Sequence, residues 1–132
     1  MMVVDTNVVA YLWLPGTMTA MVERVLAADG EWAVPVLWRS EFRSVLAGAV
    51  THKTCSLKRA VDIAAAAESQ FANREFAVDS AQVLTLASES GCSAYDCEFV
   101  ALAMTLGVRL VTNDREVLRA FAGVAVPLTA FA

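Results

Sequence analysis

Four acidic residues, Asp5, Glu41, Asp96 and Asp114, stand where an ordinary surface carboxylate is not expected. Asp5 ends the apolar run Met2-Val3-Val4, and Thr6-Asn7 and an uncharged stretch to Trp13 follow it. Asp114 repeats that arrangement after Leu110-Val111-Thr112-Asn113. Each reads as a short buried strand that stops at polar residues before a helix start. If the two strands are neighbours, both carboxylates emerge at one edge of the sheet, the carboxyl edge where open parallel sheets bind ligands. Either acid also serves as an N-cap of the helix after it, so the cap and the site remain open readings. Glu41 lies four residues from both Leu37 and Val45, so at 100° per residue it projects from the apolar face of its helix. A charge there requires a partner. Arg39 and Arg43 lie far round the helix, which leaves a distant arginine or some other positive group. Asp96 occupies the first turn of a helix that is otherwise nearly all apolar; the helix dipole favours an acid there. Glu98, two positions on, points elsewhere and is left outside the set.

If these four acids converge, each pair repels by about 3 kcal/mol at ~5 Å and an effective dielectric of ~20. Something positive must offset that. Hard divalent cations with oxygen ligands do so, and Mg²⁺ is held by a few carboxylates while keeping waters for substrate phosphates. Such an ion activates water and stabilises the attacking and leaving oxygens of a phosphodiester displacement. That chemistry requires no histidine or cysteine nucleophile, and the chain offers no convincing one.

The elements that must position these acids follow from the pattern along the chain. Apolar runs at 2–4, 31–35, 75–78, 108–112 and 124–128 read as strands, the third minor and the last an edge. Helical spacing marks 6–13, 17–28, 36–50, a segment capped by Ser56, one capped by Asp79 or Ser80 up to Ser90, 93–106, and 114 to about 121. Pro15-Gly16, Gly91 and Gly107 punctuate them. Strands alternating with helices and no tight hairpin signal imply parallel βα units.

At 132 residues the chain is expected to form one domain, residues 1–132, with a sizeable core. It is 58 % hydrophobic with a mean hydropathy of +0.55, an excess that suggests a covered surface, hence a homodimer or a tightly held partner. The longest uncharged stretch, 6–22, contains Asn7, Pro15 and Gly16 and does not suit a membrane span. Asp5 falls where a secretion signal needs basic residues, and three cysteines form no disulfide framework, so the expected location is cytoplasmic. His52 and Cys55 have the spacing of half a zinc site, but no second pair follows. A net charge of −4 argues against a general nucleic-acid binder. Even so, Arg39, Arg43, Lys53, Lys58 and Arg59 share a stretch with the single acid Glu41, which reads as a solvated helical face or a surface that meets a polyanion.

Val3-Val4-Asp5-Thr6-Asn7, Ser40-Glu41-Phe42, Tyr95-Asp96 leading into Ala101-Leu102-Ala103, and Leu110-Val111-Thr112-Asn113-Asp114-Arg115 together resemble the four acidic motifs of PIN-domain ribonucleases, particularly the VapC-type toxins. The resemblance covers essentially the whole chain in residues, order and spacing. It implies a three-layer α/β/α sandwich with a central parallel sheet of four to five strands. It further implies a Mg²⁺- or Mn²⁺-dependent endoribonuclease, a homodimer, and inhibition by a small antitoxin protein whose C-terminal segment occupies the acidic groove. Carried over by residue, Asp5, Glu41, Asp96 and Asp114 would bind the metal, and Thr112 would be a supporting hydroxyl that orients a carboxylate or a water. The chain departs from many relatives at Ser93, where they have a further acid, and Asn113 is one of several residues found at its position.

Two other function classes are weighed against an RNA nuclease. A non-catalytic PIN-like module would use the acidic groove only to engage a protein partner, but it need not retain four mutually repelling acids. A phosphotransfer domain needs a second Asp where Asn7 stands, or an acidic pair with a later lysine, and both features are missing.

Overall fold

The structure, a computed structural model, describes residues 1–131. Its centre is β1 (Met2–Val4), apolar and buried throughout, as a strand covered on both faces must be. β1 pairs in parallel with β2 (Trp32–Pro35) on one side and with β4 (Leu110–Val111) on the other. β3 (Glu75–Phe76) extends the sheet beyond β2, and β5 (Ala125–Val126) extends it beyond β4, which gives the order β3-β2-β1-β4-β5. Every pairing is parallel, so the expected α/β/α architecture with a parallel sheet of up to five strands is the one observed.

The helices are α1 (Thr6–Trp13), α2 (Thr19–Ala28), α3 (Trp38–Thr51), α4 (Leu57–Gln70), α5 (Ser80–Ser90), α6 (Ala94–Leu106) and α7 (Arg115–Ala120). Side chains of Asp5, Ser56, Asp79, Ser93 and Asp114 accept backbone N–H bonds at five of the N-termini. Gly91 and Gly107 end α5 and α6 at φ of 75° and 66°, a left-handed conformation that costs glycine little. α6 buries Cys97, Phe99, Val100, Ala101, Leu102 and Ala103, and packs on β1, β2 and β4 with α5 alongside it. α1 packs against α2, α3 and α4.

Several boundaries differ from the sequence reading: α2 begins at Thr19 rather than 17, β3 ends at Phe76 rather than 78, and β4 is confined to 110–111 rather than 108–112. Two further differences have a clear cause. Helix α3 begins at Trp38 rather than 36, because the Val36 N–H still bonds to the Phe76 carbonyl and so prolongs the β2–β3 ladder. The last strand stops at Val126 rather than 128, since Pro127 has no N–H for a ladder and Leu128–Phe131 coils into a 3₁₀ turn. Among the described residues no helix is long and apolar enough to cross a membrane. All three cysteines are free and buried.

Candidate active site

Parallel pairing of β1 with β4 decides where the first and last acids go. The Asp5 N–H continues the ladder by bonding to the Val111 carbonyl at 3.1 Å, so Asp5 and Thr112 leave their strands side by side. Asp5 divides its oxygens: Oδ1 accepts from the Asn7 N–H at 3.1 Å and caps α1, whereas Oδ2 accepts from the Thr112 hydroxyl at 2.6 Å. The Thr112 oxygen in turn accepts from the Asp114 N–H at 3.0 Å, and Asp114 Oδ1 caps α7 through the Val117 N–H at 3.0 Å. The cap and the site therefore coexist in both strand-end acids.

Glu41 reaches the same place from α3. Its Oε1 accepts from the Thr6 hydroxyl at 2.8 Å, so the partner of this carboxylate is a neutral donor and not a distant arginine. Arg39 is engaged elsewhere. Its guanidinium grips both oxygens of Glu75 at 2.6 and 2.7 Å and one of Glu68 at 3.1 Å, and the Trp38 indole N–H joins Glu75 at 2.6 Å. The basic stretch is thus not one free surface, because its first member is committed to the fold and Lys58 lies 3.7 Å from Asp62. Asp96 enters from the first turn of α6, where the Ser93 hydroxyl accepts the Asp96 backbone N–H at 3.0 Å.

All four acids border one open cleft of about 350 Å³, whose walls also include Thr6, Asn7, Ser44 and Val45. Asp5, Glu41, Asp96 and Thr112 also line a smaller hollow of about 20 Å³, room for one water-sized particle. Burial raises the Glu41 carboxyl above the usual carboxylate range; the Thr6 hydroxyl opposes this, and the charges of Asp5, Asp96 and Glu98 add to it. Asp96 is raised in the same way, by burial first, with Ser93 opposing and Asp114, Asp5 and Glu116 adding. Among the described residues no three acids, histidines or cysteines are close enough to share one ion as they stand. The donor set nevertheless fits a hard divalent cation: four carboxylates and a hydroxyl from four elements border one cleft, and no arginine or lysine neutralises them there.

Thr112, the expected supporting hydroxyl, is 1 % exposed and bonds to Asp5; Thr6, which the sequence reading did not single out, is 4 % exposed and bonds to Glu41. The signal for Thr6 was a hydroxyl directly after Asp5 at the head of an apolar helix. Glu98, left aside on helical geometry, lines a separate hollow with Val78, Ser80, Val83 and Leu84, yet its charge still reaches Glu41. Glu116 acts on Asp96 from α7, a proximity that only the fold creates. His52 is exposed and Cys55 is buried, so the two make no metal site.

Among curated proteins no sequence relative is found. The fold is similar to that of PAE2754 from Pyrobaculum aerophilum, with a TM-score of 0.76 and 22 % identity over 98 % of this chain and 91 % of that one. It is also similar to a chain of a toxin-antitoxin complex from Klebsiella pneumoniae, at 0.71 and 19 % over 97 % and 98 % of the two chains. A third similar chain is that of FitAcB from Neisseria gonorrhoeae, at 0.71 and 23 % over 96 % of each. The PIN domain family matches residues 2–124, which takes in all four acids, and the chain belongs to that family.

Proposed function

We propose that this chain, with residues 1–132 acting as one domain, is a Mg²⁺- or Mn²⁺-dependent endoribonuclease and the toxin of a VapBC-type toxin-antitoxin pair, at work in the cytoplasm. The observation that carries the reading is the shared cleft: Asp5 after β1, Glu41 from α3, Asp96 from α6 and Asp114 after β4 border one open space. Two of these acids hold protons more tightly than ordinary carboxylates because they are partly buried beside like charges. That arrangement costs folding free energy, and a bound cation returns it. When bound, a divalent cation neutralises charge at the phosphate and lowers the pKa of a coordinated water. Asp5, Glu41, Asp96 and Asp114 would hold it, and Thr112 would keep the Asp5 carboxylate in one orientation through its 2.6 Å bond. In the reaction a water oxygen attacks phosphorus as the P–O bond to the leaving nucleotide breaks, and the water proton passes to solvent or to one of the partly buried acids.

Partners enter the proposal from other features. The chain of similar fold in the Klebsiella pneumoniae toxin-antitoxin complex supports a small antitoxin protein as partner. Exposed Val36, Leu57, Val61, Leu84 and Tyr95 supply apolar surface for a homodimer or for that partner. The test is incubation of the purified protein with a mixed RNA pool and Mg²⁺ or Mn²⁺, with and without EDTA, beside Asp96→Asn. Cleavage that EDTA abolishes and that the folded Asp96→Asn variant lacks is the expected result. Cleavage indifferent to EDTA, or retained in Asp96→Asn, overturns the mechanism, and no cleavage at all favours a non-catalytic binding module.

A further inference from the structure

Thr6 and Thr112 are the only polar residues buried among the described ones, and each donates its hydroxyl to a carboxylate of the cleft. Thr112 bonds to an acid on the neighbouring strand. Thr6 reaches further: it opens α1 and meets Glu41 on α3, thirty-five residues away in sequence, at 2.8 Å. A buried polar group persists only when it is satisfied, and among the described residues the Thr6 hydroxyl is satisfied by Glu41. Valine has nearly the same outline but no hydroxyl, and would leave the Glu41 carboxylate without this donor.

The geometry gives the hydroxyl a task. Glutamate has a long side chain with several rotamers, and Asp5 and Asp96 repel Glu41 from the cleft that all three border. Threonine is a stiff donor, since its β-branch restricts χ1, and its backbone is fixed at the first turn of α1 by the Asp5 cap. The bond to Oε1 therefore resists the repulsion. Oε2 takes no hydrogen bond among the described residues and remains available to the cleft. We propose that Thr6 is a positioning residue, whose buried hydroxyl holds Glu41 against its neighbours' charge with one oxygen presented to a divalent cation. The cation part rests on the nuclease reading above; the positioning part does not.

The experiment compares wild type, Thr6→Val and Thr6→Ser by crystal structure without added metal, by Mn²⁺ titration followed calorimetrically, and by RNA cleavage. Thr6→Val is expected to fold and to show the Glu41 carboxylate moved from its place. Its Mn²⁺ affinity should fall about 10- to 100-fold, the usual effect of removing a group that orients a metal ligand, with a similar loss of cleavage. Thr6→Ser, which restores the hydroxyl, should return both towards wild type. An unmoved Glu41 in Thr6→Val, unchanged Mn²⁺ affinity, or a Thr6→Ser variant as weak as Thr6→Val overturns the proposal. If Thr6→Val does not fold, Thr6→Ala carries the same comparison. Should wild type neither bind Mn²⁺ nor cut RNA, the nuclease reading falls, and the crystal structures alone decide whether Thr6 positions Glu41.

Discussion

Replacing Asp96 by asparagine should stabilise the cation-free protein while removing its response to metal. The carboxyl of Asp96 is raised by burial and by the charges of Asp114, Asp5 and Glu116. A pair of carboxylates repels by about 2 kcal/mol at ~8 Å and an effective dielectric of ~20. The cleft is open to water on one side, which reduces each pair to about 0.5 kcal/mol, as for other solvent-facing charges. Relief from three acids is then about 1.5 kcal/mol. Against it stands the loss of an anion from the first turn of α6, about 0.5 kcal/mol. Repulsion wins by about 1 kcal/mol, and a chain of this length gains about 4 °C in Tm for that amount. The assay is thermal unfolding in EDTA at low ionic strength and pH 7, with Glu23→Gln at an exposed position of α2 as a control expected to stay within about 0.5 kcal/mol. On adding Mn²⁺ the wild-type Tm should rise and the Asp96→Asn Tm should barely move. A lower Tm for Asp96→Asn in EDTA, or a gain that does not shrink with added salt, would refute the electrostatic argument.

Two further outcomes follow from the same structure. Glu41 and Asp96 hold protons more tightly folded than unfolded, so their contribution to stability is present at low pH and lost as pH rises through the raised folded values. In EDTA the difference in stability between wild type and the Glu41→Gln, Asp96→Asn double variant should therefore narrow from pH 7 towards pH 4, as denaturant titrations at each pH would reveal; a constant difference would contradict it. Trp38→Phe keeps a ring in a fully buried position but removes the 2.6 Å indole bond to Glu75, whose carboxyl the Arg39 guanidinium holds below the usual range. A loss of about 2 kcal/mol is expected for a bond to a charged group, or ~7 °C by calorimetry, and a loss under about 0.5 kcal/mol would mean that Arg39 alone satisfies Glu75.

The legible parts of the chain were those governed by local pattern. Apolar β1, the caps at Ser56 and Asp79, and the glycines after α5 and α6 are written in residue type and spacing, and the structure has them where expected. Boundaries failed where long-range pairing decided them: Val36 belongs to the β3 ladder through Phe76, a partner forty residues away, and no helical periodicity reveals that. Within the cleft, Asp5 and Asp114 were legible as a repeated strand-end pattern, and their adjacency followed once β1 and β4 proved to be neighbours. Glu41 was legible as a charge on an apolar face, but its partner was not. A carboxylate that demands a positive group on paper is satisfied by a hydroxyl, because the apolar run of α1 brings Thr6 to it.

Cap and site were set against each other as readings of Asp5 and Asp114, and the hydrogen bonds make them one arrangement. Each spends Oδ1 on the first N–H groups of its own helix, which fixes the side-chain rotamer and orients the second oxygen. A cap is normally worth about 1 kcal/mol of stability; here it also serves to hold a carboxylate still beside like charges. Asparagine caps as well as aspartate, so Asn variants at 5 and 114 retain the helix starts and lose only charge, whereas alanine loses both. An alanine variant that fails to cleave RNA therefore says nothing about charge, and only a folded, capped and inactive asparagine variant separates the chemistry of these acids from their structural work.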